Sequence, residues 1–315
     1  MKKLFLGLIC IWILGIPLAS FGKANPSSAL LQWQISGKYF KYENHDIFYH
    51  DSGEIEKEVM VLVHGFPTSS WDWHSVWREL NKEYRLIALD LLGFGFSPKP
   101  KNHDYSIMEQ ADLMVSLLNH VKVKKAHWVV HDYGTFIAQE LLARHYPLQS
   151  LVMLNGPTTP EDIKLRPIQK LLEGPLGVLV SKFTTAFLFK LNMGPVFGPD
   201  TQPSGQDLAD FWYVISQQSG HRRSHKLMHY YQESFDNRSR WVGALQKTEV
   251  PTLLLTGIAD PVTGEATVEK YKDIMPHPRV VTLGGIGHYP HLEAPHMVSY
   301  HIKGFVRDLL IDSDW

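Results

Sequence analysis

The segment VVHDYGT, residues 129–135, places an acidic side chain where a buried strand is expected to turn sharply into a helix. A side chain at such a turn is exposed beside the helix N-terminus, where backbone N–H groups favour negative charge. The usual pattern at this kind of turn is G-x-S-x-G, in which the Ser is a nucleophile. Asp132 occupies the corresponding position, so we expect a carboxylate nucleophile there. The alternative for Asp132 taken alone is a helix N-cap, a common role for aspartate.

Two further side chains follow Asp132 in the order nucleophile, acid, histidine. Asp260 lies in TGIADPVT, residues 256–263, and His288 lies in GGIGHYPHLEAP, residues 284–295, and each segment follows a predicted strand. Neither is informative alone, because Asp-Pro is a routine turn and the chain has 17 histidines. Their order, however, is that of the triad that accompanies a nucleophile elbow. The pattern therefore predicts a triad of Asp132, His288 and Asp260, and it favours this triad over the N-cap.

Backbone N–H groups that could stabilise an oxyanion are expected in the same region. The loop HGFPTSSWDW, residues 64–73, contains a glycine and follows a predicted strand. We predict an oxyanion hole formed by the N–H of Phe66 and the N–H of Tyr133, the residue directly after the nucleophile. We interpret His64 in this loop as a structural hydrogen-bonding residue rather than as a base.

Short apolar, β-rich runs alternate with amphipathic helical segments, and these elements must position the residues above. Helices are predicted over 106–121, 134–146 and 294–310 from apolar residues at three-and-four spacing. The alternation implies an α/β fold with a mostly parallel sheet covered by helices on both faces. Loops that follow parallel strands share the carboxyl edge of the sheet, where such folds bind ligands. An antiparallel hairpin turning near Asn44 is predicted first, and the strands after it are 59–65, 85–90, 126–132, 150–156, 251–257 and 279–285.

The alternation of strands and helices stops at about Pro157 and resumes near residue 246. The intervening segment is rich in Pro, Gly and aromatic residues and has no clear strand. We predict a core domain formed by 30–157 and 246–315, with 158–245 inserted as a helical cap over the carboxyl edge of the sheet. Such a cap would exclude water and shape the pocket.

The composition bounds the class of protein and of partner. The chain has 315 residues, is 44% hydrophobic and carries a formal net charge of -1. This length suits one large α/β domain with an insertion. The balanced charge gives no reason to expect nucleic acid as a partner, and the oligomeric state is not indicated.

The first 24 residues differ from the rest of the chain. Two lysines precede an uncharged apolar run from Leu4 to Ala19, and small residues follow it. This pattern predicts a secretory signal peptide cleaved after Ala24; an uncleaved membrane anchor is the alternative. Either would make the domain an exported or membrane-anchored protein. The only cysteine, Cys10, lies in this segment, so the mature domain is expected to contain no disulfide and no cysteine-based metal site.

From about Tyr39 to its C-terminus, the chain resembles α/β-hydrolases of the epoxide hydrolase and haloalkane dehalogenase branch. The motifs that carry the resemblance are HGFPTSSWDW, ALDLLGFGFSPKP, HDYG and GHYPHLE. The resemblance implies a helical cap, no metal and no organic cofactor. It also implies that Asp132 attacks an sp³ carbon of a small apolar electrophile to form an alkyl-enzyme ester. Water activated by His288 and Asp260 would then hydrolyse this ester.

The leaving group is left open by the resemblance. Dehalogenases of this branch hold the halide with a Trp after the nucleophile and an Asn or Trp in the oxyanion loop, where this chain has Tyr133 and Phe66. Epoxide hydrolases protonate the opening epoxide with cap tyrosines, and LMHYYQE resembles the segment that holds one of them. Tyr230 is the best match, Tyr231 is the next, and Tyr213 is a candidate for the second tyrosine. We therefore predict an epoxide hydrolase-like enzyme, with a haloalkane dehalogenase and a non-catalytic binding protein of the same fold as alternatives.

Overall fold

The computed structural model describes residues 25–312, so the predicted leader at 1–24 and its Cys10 lie outside the described residues. Within this range eight strands form one sheet. Their bounds are β1 Lys38–Tyr42, β2 His45–Asp51, β3 Val59–Val63, β4 Arg85–Leu89, β5 Ala126–His131, β6 Leu148–Leu154, β7 Thr252–Gly257 and β8 Val280–Leu283.

The strand order across the sheet is β1-β2-β4-β3-β5-β6-β7-β8. β2 is antiparallel to both of its neighbours, β1 and β4, and all other neighbouring strands are parallel. All residues of β5 and β7 are buried, as is typical of central parallel strands covered on both faces. The predicted hairpin is present, with Glu43 at its turn in the left-handed region at a φ of 50°. The predicted fold, a mostly parallel sheet of the α/β-hydrolase type, is confirmed.

Fourteen α-helices accompany the sheet within the described residues. The three helices predicted from apolar spacing correspond to α3, α4 and α14 in the numbering that follows. The bounds are α1 Ser28–Ser36, α2 His74–Leu80, α3 Ile107–His120, α4 Gly134–Ala143, α5 Pro167–Glu173, α6 Gly177–Phe183, α7 Ala186–Met193, α8 Gly205–Ser216, α9 Ser224–Leu227, α10 Tyr230–Asp236, α11 Arg238–Lys247, α12 Glu265–Ile274, α13 Pro290–Glu293 and α14 Pro295–Asp312.

Alternate residues of the strands face two separate hydrophobic cores. Val130 of β5 packs in the core that includes α3 and α4, whereas its neighbour Val129 packs in the core that includes α2 and α14. This alternation follows from the period of two in a strand, which sends successive side chains to opposite faces. The sheet is therefore the middle of three layers, and its carboxyl edge lies between the two helical layers.

The chain between β6 and β7 is helical and holds α5 to α11. No strand occurs there within the described residues. The helix α11 packs against α4 rather than standing apart from the core: Trp241 Nε1 donates to Glu140 of α4 at 2.7 Å, and Arg240 Nε donates to the same carboxylate at 2.8 Å. The division of the chain at 158 and 245 into core and cap stays a prediction. Across residues 25–312, no helix has the length and apolar character needed to cross a membrane.

Candidate active site

Asp132 lies in the sharp turn between β5 and α4. Its φ is 47°, in the left-handed region that residues other than glycine rarely adopt. The turn leaves no room for side chains beside it. A Cβ at Gly134 would lie 2.9 Å from the carbonyl oxygen of Val63, and a Cβ at Gly65 would lie 2.7 Å from the Cβ of Asp132. Strained backbone of this kind clusters at functional sites, and here it lifts the carboxylate out of the sheet edge.

The two oxygens of the Asp132 carboxylate have different surroundings. Oδ1 accepts a hydrogen bond from the N–H of Phe66 at 2.9 Å, while Oδ2 lies 3.4 Å from Nε2 of His288. Burial alone would raise the pKa of Asp132, but the hydrogen bond and the positive charge of His288 outweigh burial and lower this pKa. The carboxylate is therefore ionised, with Oδ1 held by the backbone and Oδ2 turned toward the imidazole.

His288 is oriented by Asp260. Nδ1 of His288 lies 2.8 Å from Oδ2 of Asp260. The same oxygen accepts from Asn155 Nδ2 and from Thr263 Oγ1, each at 2.8 Å, and Oδ1 accepts from the N–H of Val262 at 2.7 Å. Against the effect of burial, His288 and these donors lower the pKa of Asp260.

Asn155 is a site residue that the sequence analysis missed. It directly follows β6 and adopts a positive φ of 38°. Besides its bond to Asp260, its side chain accepts from the N–H of Gly257 at 2.8 Å and donates to the carbonyl oxygen of Gly257 at 3.0 Å. The side chain thus fixes the end of β7, from which the Asp260 loop departs. The sequence signal that could have identified Asn155 is a polar residue directly after a buried strand, at the carboxyl edge of the sheet where the other site residues lie.

His288 is positively charged in the resting site. Burial would lower its pKa, but the carboxylates of Asp260 and Asp132 outweigh burial and raise the pKa to about 10. An imidazolium can donate a proton but cannot accept one. His288 can therefore act as a base only after one of the two negative charges beside it has been removed.

The loop that carries His288 is attached to the chain between β6 and β7. The N–H of His288 donates to the carbonyl oxygen of Val196 at 2.8 Å, and its carbonyl oxygen lies 2.8 Å from Nε2 of His131. These two backbone contacts fix the height of the imidazole above the sheet edge.

Glu293 strengthens the same attachment. One of its carboxylate oxygens accepts from the N–H of Gly198 and from the N–H of Gly287, both at 2.8 Å, and from the hydroxyl of Thr201. The other oxygen accepts from the N–H of Tyr289 at 2.9 Å. A single carboxylate therefore joins both sides of the triad histidine to residues 198–201.

Asp132 and His288 open into a cavity of about 320 Å³. Its wall is largely apolar and is formed mainly by helices α5 to α8, with polar groups from Arg166, Gln169 and His221. A small number of polar groups in an apolar cavity is typical of a site for a small apolar molecule. Apolar side chains that contribute to the wall include Leu172, Val180, Leu188, Phe189, Met193 and Trp212.

The predicted oxyanion donors lie beside the nucleophile. Phe66 donates its N–H to Asp132, as described above. Tyr133 is the N-cap residue of α4, so its N–H lies at the start of the helix, where N–H groups have no partner within the helix. The hydroxyl of Tyr133 is directed elsewhere and donates to the carbonyl oxygen of Tyr105 at 3.4 Å.

The predicted cap tyrosines do not line the cavity. Tyr230 is 2% exposed and packs edge-on against the ring of Tyr133, with 5.1 Å between ring centroids. Tyr231 and Tyr213 are half-buried and also lie outside the cavity wall, whereas Tyr289, which no pattern singled out, forms part of it. The role of the three predicted tyrosines as proton donors stays a prediction without support from this geometry.

A second buried cluster lies behind the site. Asp72, His131 and His291 have ligand atoms within 4.8 Å of one another, and this is the group of described residues that could hold a metal ion. None of the three lines the cavity. Burial raises the pKa of Asp72 well above its ordinary value, lowers that of His131 to about 3 and lowers that of His291 well below its ordinary value. Burial therefore favours the uncharged form of each of the three side chains in this cluster.

The strand order, the sharp turn at Asp132 and the chain order of Asp132, Asp260 and His288 indicate a class of protein. The chain belongs to the alpha/beta hydrolase fold family, whose model matches residues 58–295. The chain is 38% identical to the mesoderm-specific transcript protein of Mus musculus over 94% of each chain. It is also 25% identical to epoxide hydrolase 1 of Caenorhabditis elegans over 85% of this chain and 70% of that protein.

Solved structures agree on the fold. A haloalkane dehalogenase from Bradyrhizobium elkanii, the DbeA-M1 loop variant, superimposes with a TM-score of 0.76 over 89% of this chain and 98% of the dehalogenase. The two sequences are 19% identical, so this likeness shows the shared fold and no more. The family resemblance inferred from the motifs is confirmed.

Proposed function

We propose that the protein is a hydrolase in which the Asp132 carboxylate attacks an electrophilic sp³ carbon, with epoxides as the favoured substrate class. The observation that carries the proposal is the arrangement of this carboxylate. Oδ1 is held by the Phe66 N–H, and Oδ2 lies 3.4 Å from an imidazolium at the base of an apolar cavity. The partners are a small apolar electrophile and water, and residues 158–245 act as the cap that excludes bulk solvent.

The first step forms an ester. Oδ2 of Asp132 attacks a carbon of the epoxide, the carbon–oxygen bond of the ring breaks, and the freed oxygen takes up a proton. The imidazolium of His288 supplies this proton, directly or through a water molecule. This source accounts for a cavity wall without the predicted cap tyrosines. The products of the step are a hydroxyalkyl ester and a neutral imidazole.

The second step hydrolyses the ester. Esterification removes the negative charge of Asp132, so the pKa of His288 falls and the neutral imidazole can serve as a base. Oriented by Asp260, it takes a proton from water, and the resulting hydroxide attacks Cγ of Asp132. The negative charge of the tetrahedral intermediate develops on Oδ1, where the N–H groups of Phe66 and Tyr133 stabilise it. On collapse the ester C–O bond breaks and the proton of the added hydroxyl passes to the departing alkoxide, so the diol leaves, Asp132 is again a carboxylate and His288 keeps the proton that it took from water.

Haloalkane dehalogenation is the second candidate, favoured by the fold of the dehalogenases and by Trp212, whose ring lines the cavity. Two features oppose it. Neither Phe66 nor Tyr133 offers a side-chain N–H to a halide. A departing halide also takes no proton, so His288 would first have to release its proton to solvent after the ester forms before it could act as a base. Epoxide opening removes that proton as part of the reaction.

Trapping the ester tests the proposal. In His288→Gln the first step lacks its proton donor and the second its base, so turnover stops while slow alkylation of Asp132 by reactive epoxides continues. Mass spectrometry of digested protein should show the Asp132 peptide heavier by the mass of the epoxide. The double variant His288→Gln, Asp132→Ala is the control and should show no adduct. Halide release from haloalkanes without epoxide adducts would favour the second candidate, and no reaction with either class would favour a non-catalytic binding protein.

A further inference from the structure

Helices α5 to α7 expose an unusual concentration of large apolar side chains. Among residues 25–312, eight of the 17 exposed large hydrophobic side chains lie between residues 171 and 191. Exposed apolar surface of this extent marks an interaction site, whereas single exposed apolar residues do not. We call this group the cap patch; it consists of Leu171, Leu176, Val178, Leu179, Phe183, Phe187, Leu188 and Leu191.

The cap patch is continuous with the wall of the cavity. Phe183 and Leu188 are 66% and 42% exposed, and both also line the cavity that contains Asp132. Leu172 and Val180, on the same helices, continue the apolar lining inward. Whatever covers the cap patch therefore borders the route by which an apolar molecule reaches the nucleophile.

Positive charge surrounds the cap patch. Residues 164–193 contain five Lys or Arg and one acidic residue, Glu173, a net charge of +4 in a chain whose total is -1. Within the described part of the chain, Lys170, Lys182 and Lys190 form no salt bridge. Exposed Phe and Leu side chains bordered by lysines are the pattern of surfaces that bind anionic lipid bilayers.

The first described residues of the chain contact α8. The N–H of Ser27 donates to Asp210 of α8 at 2.7 Å, and the carbonyl oxygen of Asn25 accepts from Gln206 of the same helix. This helix packs against α7, which carries Phe187, Leu188 and Leu191 of the cap patch.

We propose that the cap patch docks on the surface of an anionic phospholipid bilayer. Phe187 and Leu191 enter the region between headgroups and acyl chains, and the surrounding lysines contact the lipid phosphates. The cavity mouth at Phe183 then opens against the bilayer, so apolar substrates pass from the membrane to the site without crossing water. Docking does not depend on the chemistry proposed for Asp132.

A site-specific probe tests the docking. Full-length protein with Cys10→Ser carries one environment-sensitive fluorophore on Phe187→Cys; the matched control carries it on Ile55→Cys, which lies before β3 and is 75% exposed. With vesicles of phosphatidylcholine and phosphatidylglycerol, emission at position 187 should shift to the blue and emission at 55 should not, even if the leader tethers both proteins. High salt or omission of phosphatidylglycerol should reduce the shift. An unchanged spectrum at 187 would overturn the proposal, as would a blue shift that grows with protein concentration without vesicles, since this would indicate a second copy of the chain.

A pair of substitutions tests the energetics. Phe187→Ser with Leu191→Ser should weaken binding to anionic vesicles by about tenfold or more, because two large apolar side chains are lost from the interface. Ile55→Ser with Tyr300→Ser removes comparable exposed side chains elsewhere and should leave vesicle binding unchanged. None of these four residues lines the cavity, so turnover of a small soluble substrate should be unaffected in both variants. Equal vesicle binding by the two variants would contradict the proposal.

Discussion

Replacing Asp132 by asparagine should convert His288 from a charged group into one that titrates near neutral pH. Two unit charges 3.4 Å apart interact by about 5 kcal/mol at an effective dielectric constant of about 20. Since 1.36 kcal/mol corresponds to one pKa unit, removal of this charge lowers the pKa of His288 by about 3.6, from about 10 to between about 6 and 7. The amide keeps the shape of the carboxylate and keeps an acceptor for the Phe66 N–H.

The measurement is a pH titration of the His288 imidazole by NMR with labelled histidine, with the His288→Gln spectrum used for assignment. The wild type should remain charged from pH 6 to pH 9, whereas the Asp132→Asn variant should lose its proton within that range. Asp260→Asn is the graded control: its carboxylate is closer to the ring, at 2.8 Å, so its loss should lower the pKa further. A titration of His288 in Asp132→Asn that matches the wild type would refute the charge coupling on which the two-step mechanism depends.

Three further substitutions separate the site from the scaffold. Gly65→Ala introduces a Cβ 2.7 Å from that of the nucleophile, so we expect kcat to fall and the free energy of unfolding in urea to decrease by about 1–3 kcal/mol. Asn155→Ala removes a donor to Asp260 and should lower kcat at least about tenfold while destabilising the fold by about 2 kcal/mol; full activity would contradict its positioning role. Arg85→Met breaks the buried ion pair with Asp51 and should cost about 3 kcal/mol with kcat unchanged. Burial opposes ionisation of Asp51, but its bonds to Arg85 dominate and lower the pKa of Asp51. The stabilisation by this ion pair is therefore complete above the ordinary pKa of aspartate and is lost as pH falls through the lowered pKa. Acid denaturation of the wild type and of Arg85→Met would show this loss.

The strands could be predicted because their signals are local. Each predicted strand is an apolar run that ends in Gly or Asp. The order of Asp132, Asp260 and His288 along the chain can likewise be read without knowing any distance between them. The helix α1 escaped prediction because its apolar residues have no clear helical spacing. Asn155 escaped because its partner Asp260 is 105 residues away, and only the pairing of β6 with β7 brings the two together.

The cap was the least predictable part of the molecule. Sequence spacing within α10 could suggest Tyr230 as a proton donor, but whether that ring faces the cavity or packs under the nucleophile depends on how neighbouring helices meet. The ring packs against Tyr133, which follows the nucleophile directly. The sequence also could not show that α11 packs against α4, because their contact through Glu140 joins residues 100 positions apart.

The bonds of the Glu293 carboxylate distinguish two parts of the chain between β6 and β7: one part is joined to the loop that carries His288, and the other is not. Its bonds reach residues 198–201 and the backbone on either side of His288, and none reaches α5, α6 or α7. Residues 198–201 are thus held in place by Glu293, and substitutions there would displace the imidazole of His288. Substitutions in α5, α6 and α7 would not displace the imidazole in this way. Related chains can therefore differ in the helices that line the cavity, and so in the molecules that they bind, while the position of His288 is kept. Residues 198–201 should vary least among these chains.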